Sequence, residues 1–393
     1  MDKLLAFDPS RQIDIAINGR FLTQKLSGVQ RYGREIVTAL DRLVAEGRDG
    51  LDRHRWRLIV PPGYDAAFGL SRIAIEQVGT RGGHVWEQID LPRATQAARL
   101  VNLGNSAPLV HRDKLVVIHD AAVFRTPANF GWRYRTLHKA LARLTALSAR
   151  IGTVSEFSRR ELADVLGLRR DAIFLAPNGC DHLQRGDPDP DVLDDLGLRP
   201  GRYFLCVGTP APNKNLAVVL AAWKRLARTD ATLVIAGSLD RGVFGGAAPD
   251  SLPGLVVASG RSDGEIAALY AHATALVFPS LYEGFGIPPL EAMARGCPAI
   301  VSDIAVTREV CGDAARYFDP HDAAALASLM QQHLDDPAMR IALAPQAARR
   351  VAAFTWEESA RRLAAAVLAD APTRGSPTPS SRMGDQRARP GSG

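Results

Sequence analysis

Long hydrophobic runs are missing from this chain. No stretch of about 18 or more apolar residues occurs in its 393 residues, which argues against a membrane-spanning helix. Cysteine is scarce: Cys180, Cys206, Cys297 and Cys311 lie far apart and form no CxxC pair. That spacing speaks against a disulfide frame or a zinc site and for reduced thiols in a cytoplasmic protein. A strong charge bias is also lacking. The net charge is +6, and residues 371–393, with four Arg and one Asp, account for half of it. With no compact basic stripe and no accompanying aromatic set, nucleic-acid binding is not indicated. There is no GxGxxG, so dinucleotide binding is not indicated either. No repeat of solenoid length is visible. The opening MDKLLAFDPS reads as too short and too acidic for a signal peptide. What remains, with 46% apolar and 23% charged residues, is a soluble globular composition long enough for two ordinary domains.

The most informative stretch runs from Phe278 to Asp303, FPSLYEGFGIPPLEAMARGCPAIVSD. A buried strand, Ala275 to Phe278, breaks at Pro279 into a Gly/Pro-rich loop. A short helix, Pro289 to Ala294, follows with Pro289 in its first turn, and Gly296 ends it before a new strand, Ala299 to Val301. Loop amides and a helix N-terminus then converge on one point, which favours an anion such as phosphate. Gly284 and Gly286, lacking Cβ, let a ligand approach the backbone. Glu283 and Glu291, eight positions apart, can each accept from hydroxyls. A phosphate between two polyols is a sugar nucleotide. The plain alternative is a pair of exposed acids at a helix start.

Glu283, Gly284, Phe285, Gly286, Pro289, Glu291, Ala292, Gly296 and Pro298 match the C-terminal signature of the retaining glycosyltransferases of group 1, or family 4 type. The chain resembles that family over most of Ile13 to Leu368, most densely from Tyr203 to Pro320. The resemblance implies an α/β GT-B fold: two doubly wound, Rossmann-like parallel-sheet domains facing a cleft. It implies an acceptor-side domain over 1–185, a linker over 186–200 and a nucleotide-sugar domain over 201–353. A crossover helix over 354–370 would pack back on the first domain. The tail, 371–393, is rich in Pro, Ser, Gly and Arg and is expected to be disordered.

Several segments acquire roles from the resemblance. Strand Ile13 to Asn18 leads through a flexible loop with Gly19, Ser27 and Gly28 into a helix, Val29 to Leu43, and Gly28 would lie near the donor phosphates. Gly28 as a mere turn residue stays open. Strand Leu115 to Ile118 delivers His119-Asp120 to its C-terminal end, where ligands bind in open parallel sheets. The matching family His reaches the donor sugar, and Asp120 would orient the imidazole or start a turn. Ser158 and Glu161 read as a capping box. Lys214, in the first loop of the second domain, can neutralise a diphosphate. Thr209 stands where the family carries an Arg, and Asn213 replaces another common basic residue. Diphosphate binding would then lean on Lys214 and the amides from Gly284 to Ile287. Arg261 would lie near the nucleobase, and Glu309 matches the family's edge of the donor domain.

Glu283 would hold hydroxyls of the transferred sugar and Glu291 those of the ribose. Charge gathering on the leaving phosphate would be met by Lys214 and the loop amides, with no metal or other cofactor required. The overall look is that of bacterial mannosyltransferases of polysaccharide assembly. This makes GDP-mannose the first expected donor and a glycan on a lipid carrier the expected acceptor. Trp132 to Arg150 mixes Arg and Lys with Trp, Tyr and Leu. It reads either as an anionic-membrane contact at the inner face or as the solvated basic face of a core helix. Two other functions remain open: a sugar-nucleotide epimerase on the same fold, and a non-catalytic subunit of a glycan-assembly complex.

Overall fold

The computed structural model describes residues 12–208, 211–226, 230–237 and 252–369. Two wholly parallel sheets organise it. The first contains β1 (Asp14–Asn18), β2 (Arg55–Val60), β3 (Ala74–Gln77), β4 (Arg99–Asn102), β5 (Lys114–Val117), β6 (Arg150–Thr153) and β7 (Ile173–Leu175), in the order β3-β2-β1-β4-β5-β6-β7. The second contains β8 (Tyr203–Val207), β9 (Thr232–Ala236), β10 (Leu255–Ala258), β11 (Ala275–Phe278), β12 (Ala299–Ser302) and β13 (Arg316–Phe318), in the order β10-β9-β8-β11-β12-β13. Strands such as YFLCV and ALVF are apolar on both faces because helices cover both sides of a parallel sheet. Strand order reverses between β1 and β4 and again between β8 and β11. Crevices open at such switch points, at the C-terminal strand ends.

The glycine-loop helix runs from Gly28 to Ala45. Gly19 belongs to no flexible loop: its N–H donates to Ile59 O, and a Cβ there would meet Val60 at 2.6 Å. The basic helix stops at Ala146, and Arg150 starts β6 and donates to Ala366 O. Within the 186–200 stretch, Asp191–Asp195 forms a short helix that buries Val192 and Leu193. The crossover helix, Trp356–Leu368, returns to the first sheet, where Arg99 donates to Val367 O and Trp356 sits 6.0 Å from Tyr32, ring to ring. The expectation of a disordered tail over 371–393 lies outside the described residues.

Candidate active site

The two switch points face each other across a cleft of about 530 Å³. Its walls include Gly28 and His119 from the first domain and Lys214, Arg261, Glu283 and Glu291 from the second. The backbone from Gly284 to Ile287 closes one side. A hollow of about 610 Å³ beside Gln88 and His111 holds none of these residues.

The Glu283 loop follows β11 at the switch point. Its helix begins at Ile287, two residues before the expected start, with Gly286 as N-cap at φ +87 and Pro288 in the first turn. Pro288 and Pro289 carry no N–H, so the amides this helix start offers beside the cleft are those of Gly286 and Ile287. Phe285 is core: it is buried and its ring packs on Phe354 at 5.4 Å. Glu283 Oε1 lies 2.5 Å from Lys214 Nζ, bringing together the residues expected to hold the sugar and the diphosphate. Asn213 makes this register: its side chain donates to Tyr282 O and its carbonyl accepts from Leu281 N–H. Its role in this fold is to join the lysine loop to the glutamate loop. Thr209 lies outside the described residues.

Gly284 differs from the sequence expectation. A Cβ there would lie 2.2 Å from His119 O and 3.0 Å from Asp120 Cβ. The close approach is therefore made by the first domain's own backbone, not by a ligand. Ser155 Oγ and Ser158 Oγ both donate to Gly284 O, at 2.5 and 2.9 Å, and Ser158 Oγ also reaches His119 O at 2.9 Å. Ser155, not Ser158, caps the helix Glu156–Leu166, and Glu161 pairs with Arg125. Glu309 crosses between the domains and accepts from the N–H groups of Glu156 and Phe157, both at 2.7 Å. A carboxylate at a helix N-terminus gains from both the open amides and the dipole.

His119 is buried with its ring 4.8 Å from that of Tyr32, edge to face. Nε2 lies 2.9 Å from Leu103 O, which can only accept, so Nε2 carries the proton and Nδ1 is the acceptor. Burial lowers its pKa to about 4, so the ring is neutral near pH 7 and suited to receiving a hydroxyl proton in a hydrogen bond. Neighbouring Asp120 accepts from Ala122 N–H, which fits the turn reading. Burial, and then the Glu283 charge, raise its pKa.

Glu291 is no free helix-start acid. Tyr270 OH donates to Oε2 at 3.0 Å, and His182 Nε2 lies 3.0 Å from Oε1. Arg261 borders the cleft, paired with Glu265 at 2.7 Å. Gly28 opens its helix fully exposed to the cleft, with nothing within 4 Å of a Cβ built on it. Sequence reading missed Arg31, which binds Asp263 in a two-bond pair at the cleft wall. Its position one turn after Gly28 was the available signal. It also missed His182 and Tyr270, whose partners are remote in the chain. Among the described residues no group of three His, Cys, Asp or Glu side chains could hold a metal ion.

Two such parallel-sheet domains facing one cleft make the GT-B fold. The family model for "Glycosyl transferases group 1" matches residues 196–350. The O-antigen chain mannosyltransferase B of Escherichia coli is 31% identical over 268 residues, covering 63% of this chain and 69% of that protein. The O-antigen chain mannosyltransferase RfbU of Salmonella typhimurium is 29% identical over 56% of this chain and 60% of its own length. The structure of a sucrose-phosphate synthase from Thermosynechococcus elongatus superposes with a TM-score of 0.68 at 20% identity, over 90% of this chain and 98% of that one. The chain belongs to the group 1 glycosyltransferases.

Proposed function

We propose that the protein transfers mannose from GDP-mannose to a growing glycan on a lipid carrier, with retention of anomeric configuration. The sugar assignment is supported by the names of the O-antigen relatives. The observation that carries the donor reading is the Lys214–Glu283 pair beside the open helix N-terminus in the cleft. A diphosphate placed there meets Lys214 and the amides at Gly286 and Ile287, which stabilise charge on the leaving phosphate. Glu283, released from Lys214, accepts hydroxyls of the sugar, and Glu291 accepts those of the ribose. His119 Nδ1 accepts a further sugar hydroxyl. The donor phosphate takes the acceptor's proton on the same face, which gives retention. Lys214 and the amides carry the charge a metal would otherwise carry, so transfer is expected to persist in EDTA.

The acceptor side includes the basic helix, Trp132–Ala146. Among its described residues only Thr145 is buried, while Trp132, Tyr134, Leu137 and Leu144 are exposed beside Arg133, Lys139 and Arg143. We assign this face to an anionic bilayer, by charge complementarity and interfacial aromatics. Among the described residues no helix is long and apolar enough to cross a membrane. Sedimentation with anionic vesicles at low salt is expected; no binding overturns this part.

Thermal stability with a panel of nucleotides tests the donor. A ligand held only by the folded state raises the midpoint by mass action. GDP and GDP-mannose are expected to raise it while UDP compounds do not. A response to UDP compounds alone overturns the donor assignment, and no response to any nucleotide overturns the donor-site reading.

A further inference from the structure

Glu291 is held from behind by residues with no established role, and that support reaches the crossover helix. Tyr270 is fully buried, and burial followed by the Glu291 charge keeps its phenol protonated, so it donates to Oε2. His182, whose side chain is 3% exposed, approaches Oε1 through Nε2 at 3.0 Å. Its other nitrogen, Nδ1, accepts the indole N–H of Trp356 at 3.2 Å. Because Nδ1 is an acceptor, a neutral His182 must carry its proton on Nε2, facing the carboxylate. The angle at this contact lies outside hydrogen-bonding geometry, and Nε2 has no other partner among the described residues. A buried donor left in that state is costly, so a small turn of the adjacent Glu291 carboxylate that completes the bond is favoured.

The supporting indole is itself fixed. Trp356 is fully buried, its backbone N–H donates to Asp181 Oδ1 at 2.8 Å, and its ring lies 6.0 Å from Tyr32. Tyr32 in turn packs edge-on against His119 at 4.8 Å. The junction of the crossover helix therefore sits between the two ends of the site.

We propose that His182 is a positioning residue for Glu291, with Trp356 selecting the tautomer that faces it. This rests on the reading of Glu291 as the ribose-binding carboxylate. Each carboxylate oxygen has two lone pairs, so one on each side remains for a ribose hydroxyl after His182 and Tyr270 are served. His182 thereby fixes the direction of the remaining lone pairs toward the ligand. Its effect falls on nucleotide binding and not on the bond-breaking step.

The test is calorimetric binding of the nucleoside diphosphate that stabilises the wild-type protein, together with kcat and KM for its sugar nucleotide. His182→Leu is expected to weaken nucleoside diphosphate binding roughly tenfold and raise KM similarly, with kcat within about twofold. His182→Gln can accept from Trp356 and donate to Glu291, and is expected to recover most of the affinity. Equal losses in the Leu and Gln variants, or a fall in kcat at constant KM, would overturn the assignment. Glu291→Gln separates the two layers. If it loses affinity while His182→Leu does not, the ribose reading stands and the His182 role falls. If Glu291→Gln binds like wild type, the ribose reading itself falls. Should His182→Leu fail to fold, Trp356→Phe carries the test. It keeps an aromatic ring in place but removes the indole N–H, and is expected to weaken binding several-fold at unchanged kcat; wild-type affinity would overturn the proposal.

Discussion

Replacing Gly284 by Ala tests whether the site works only with the domains in contact. Gly284 has no left-handed backbone requirement, unlike Gly286 at φ +87, so space alone opposes a side chain. The new Cβ would lie 2.2 Å from His119 O, where ordinary contact begins at 3.4 Å. The obstacle is backbone and cannot swing aside, so the two domains must separate by about 1 Å at this point. Separation breaks the bonds from Ser155 and Ser158 to Gly284 O. Overpacking disfavours the closed arrangement by about 1–3 kcal/mol, and loss of these bonds is the cost of relieving it. The protein can escape by opening, so the ratio of closed to open molecules falls by roughly tenfold to a hundredfold while each domain stays folded. Turnover is expected to fall by the same factor. Small-angle scattering should show a larger radius of gyration than that of the wild-type protein. Gly69→Ala, where a Cβ meets nothing within 4 Å, is the matched control. Wild-type turnover and wild-type dimensions in Gly284→Ala would refute the reasoning.

Further outcomes follow from the same contacts. Glu283→Ala is expected to abolish transfer while retaining nucleoside diphosphate binding, because Lys214 loses its competing partner; steady-state transfer near the wild-type rate would rule out the assigned role. Lys214→Ala is expected to weaken nucleoside diphosphate binding tenfold or more, as read by calorimetry. The pH dependence of stability has a definite sign. His119 titrates near 6.5 when unfolded and at about 4 when folded, so the unfolded chain binds more protons between those values. Its contribution is complete above pH 6.5 and declines by roughly 3 kcal/mol as the pH falls to about 4. Asp120, raised by burial and Glu283, opposes this slope. Urea unfolding between pH 4 and 7 should therefore show a shallower slope in His119→Asn and a steeper one in Asp120→Asn.

The strands were legible because both sheets are buried on both faces, so their segments read as unbroken apolar runs. Ala275–Phe278 has the bounds its sequence predicts, and Asp14–Asn18 and Ala299–Ser302 lie within one residue of theirs. The glycine loop with its two flanking glutamates was legible because positive φ and a helix start require particular residues over a short span. Helix ends were less so. Ile287 and Pro288 precede the expected start because Gly286 supplies the N-cap conformation, and Arg150 ends as strand because its guanidinium reaches the crossover helix.

By itself, then, the sequence determined the strands and the strand-end loops that carry Glu283, Glu291, Lys214 and His119, while its family resemblance pointed to two parallel α/β domains. These depend on local patterns whose physical meaning survives without knowing what lies nearby. Only the tertiary structure decided what Gly284, Asn213, Glu309 and His182 do. Each owes its role to a partner at least 68 positions away: the His119 carbonyl, the Tyr282 carbonyl, the amides of Glu156 and Phe157, and the Glu291 carboxylate. Hydrogen bonds and steric contacts act over a few ångströms, and chain separation carries no information about them until the two domains have come together.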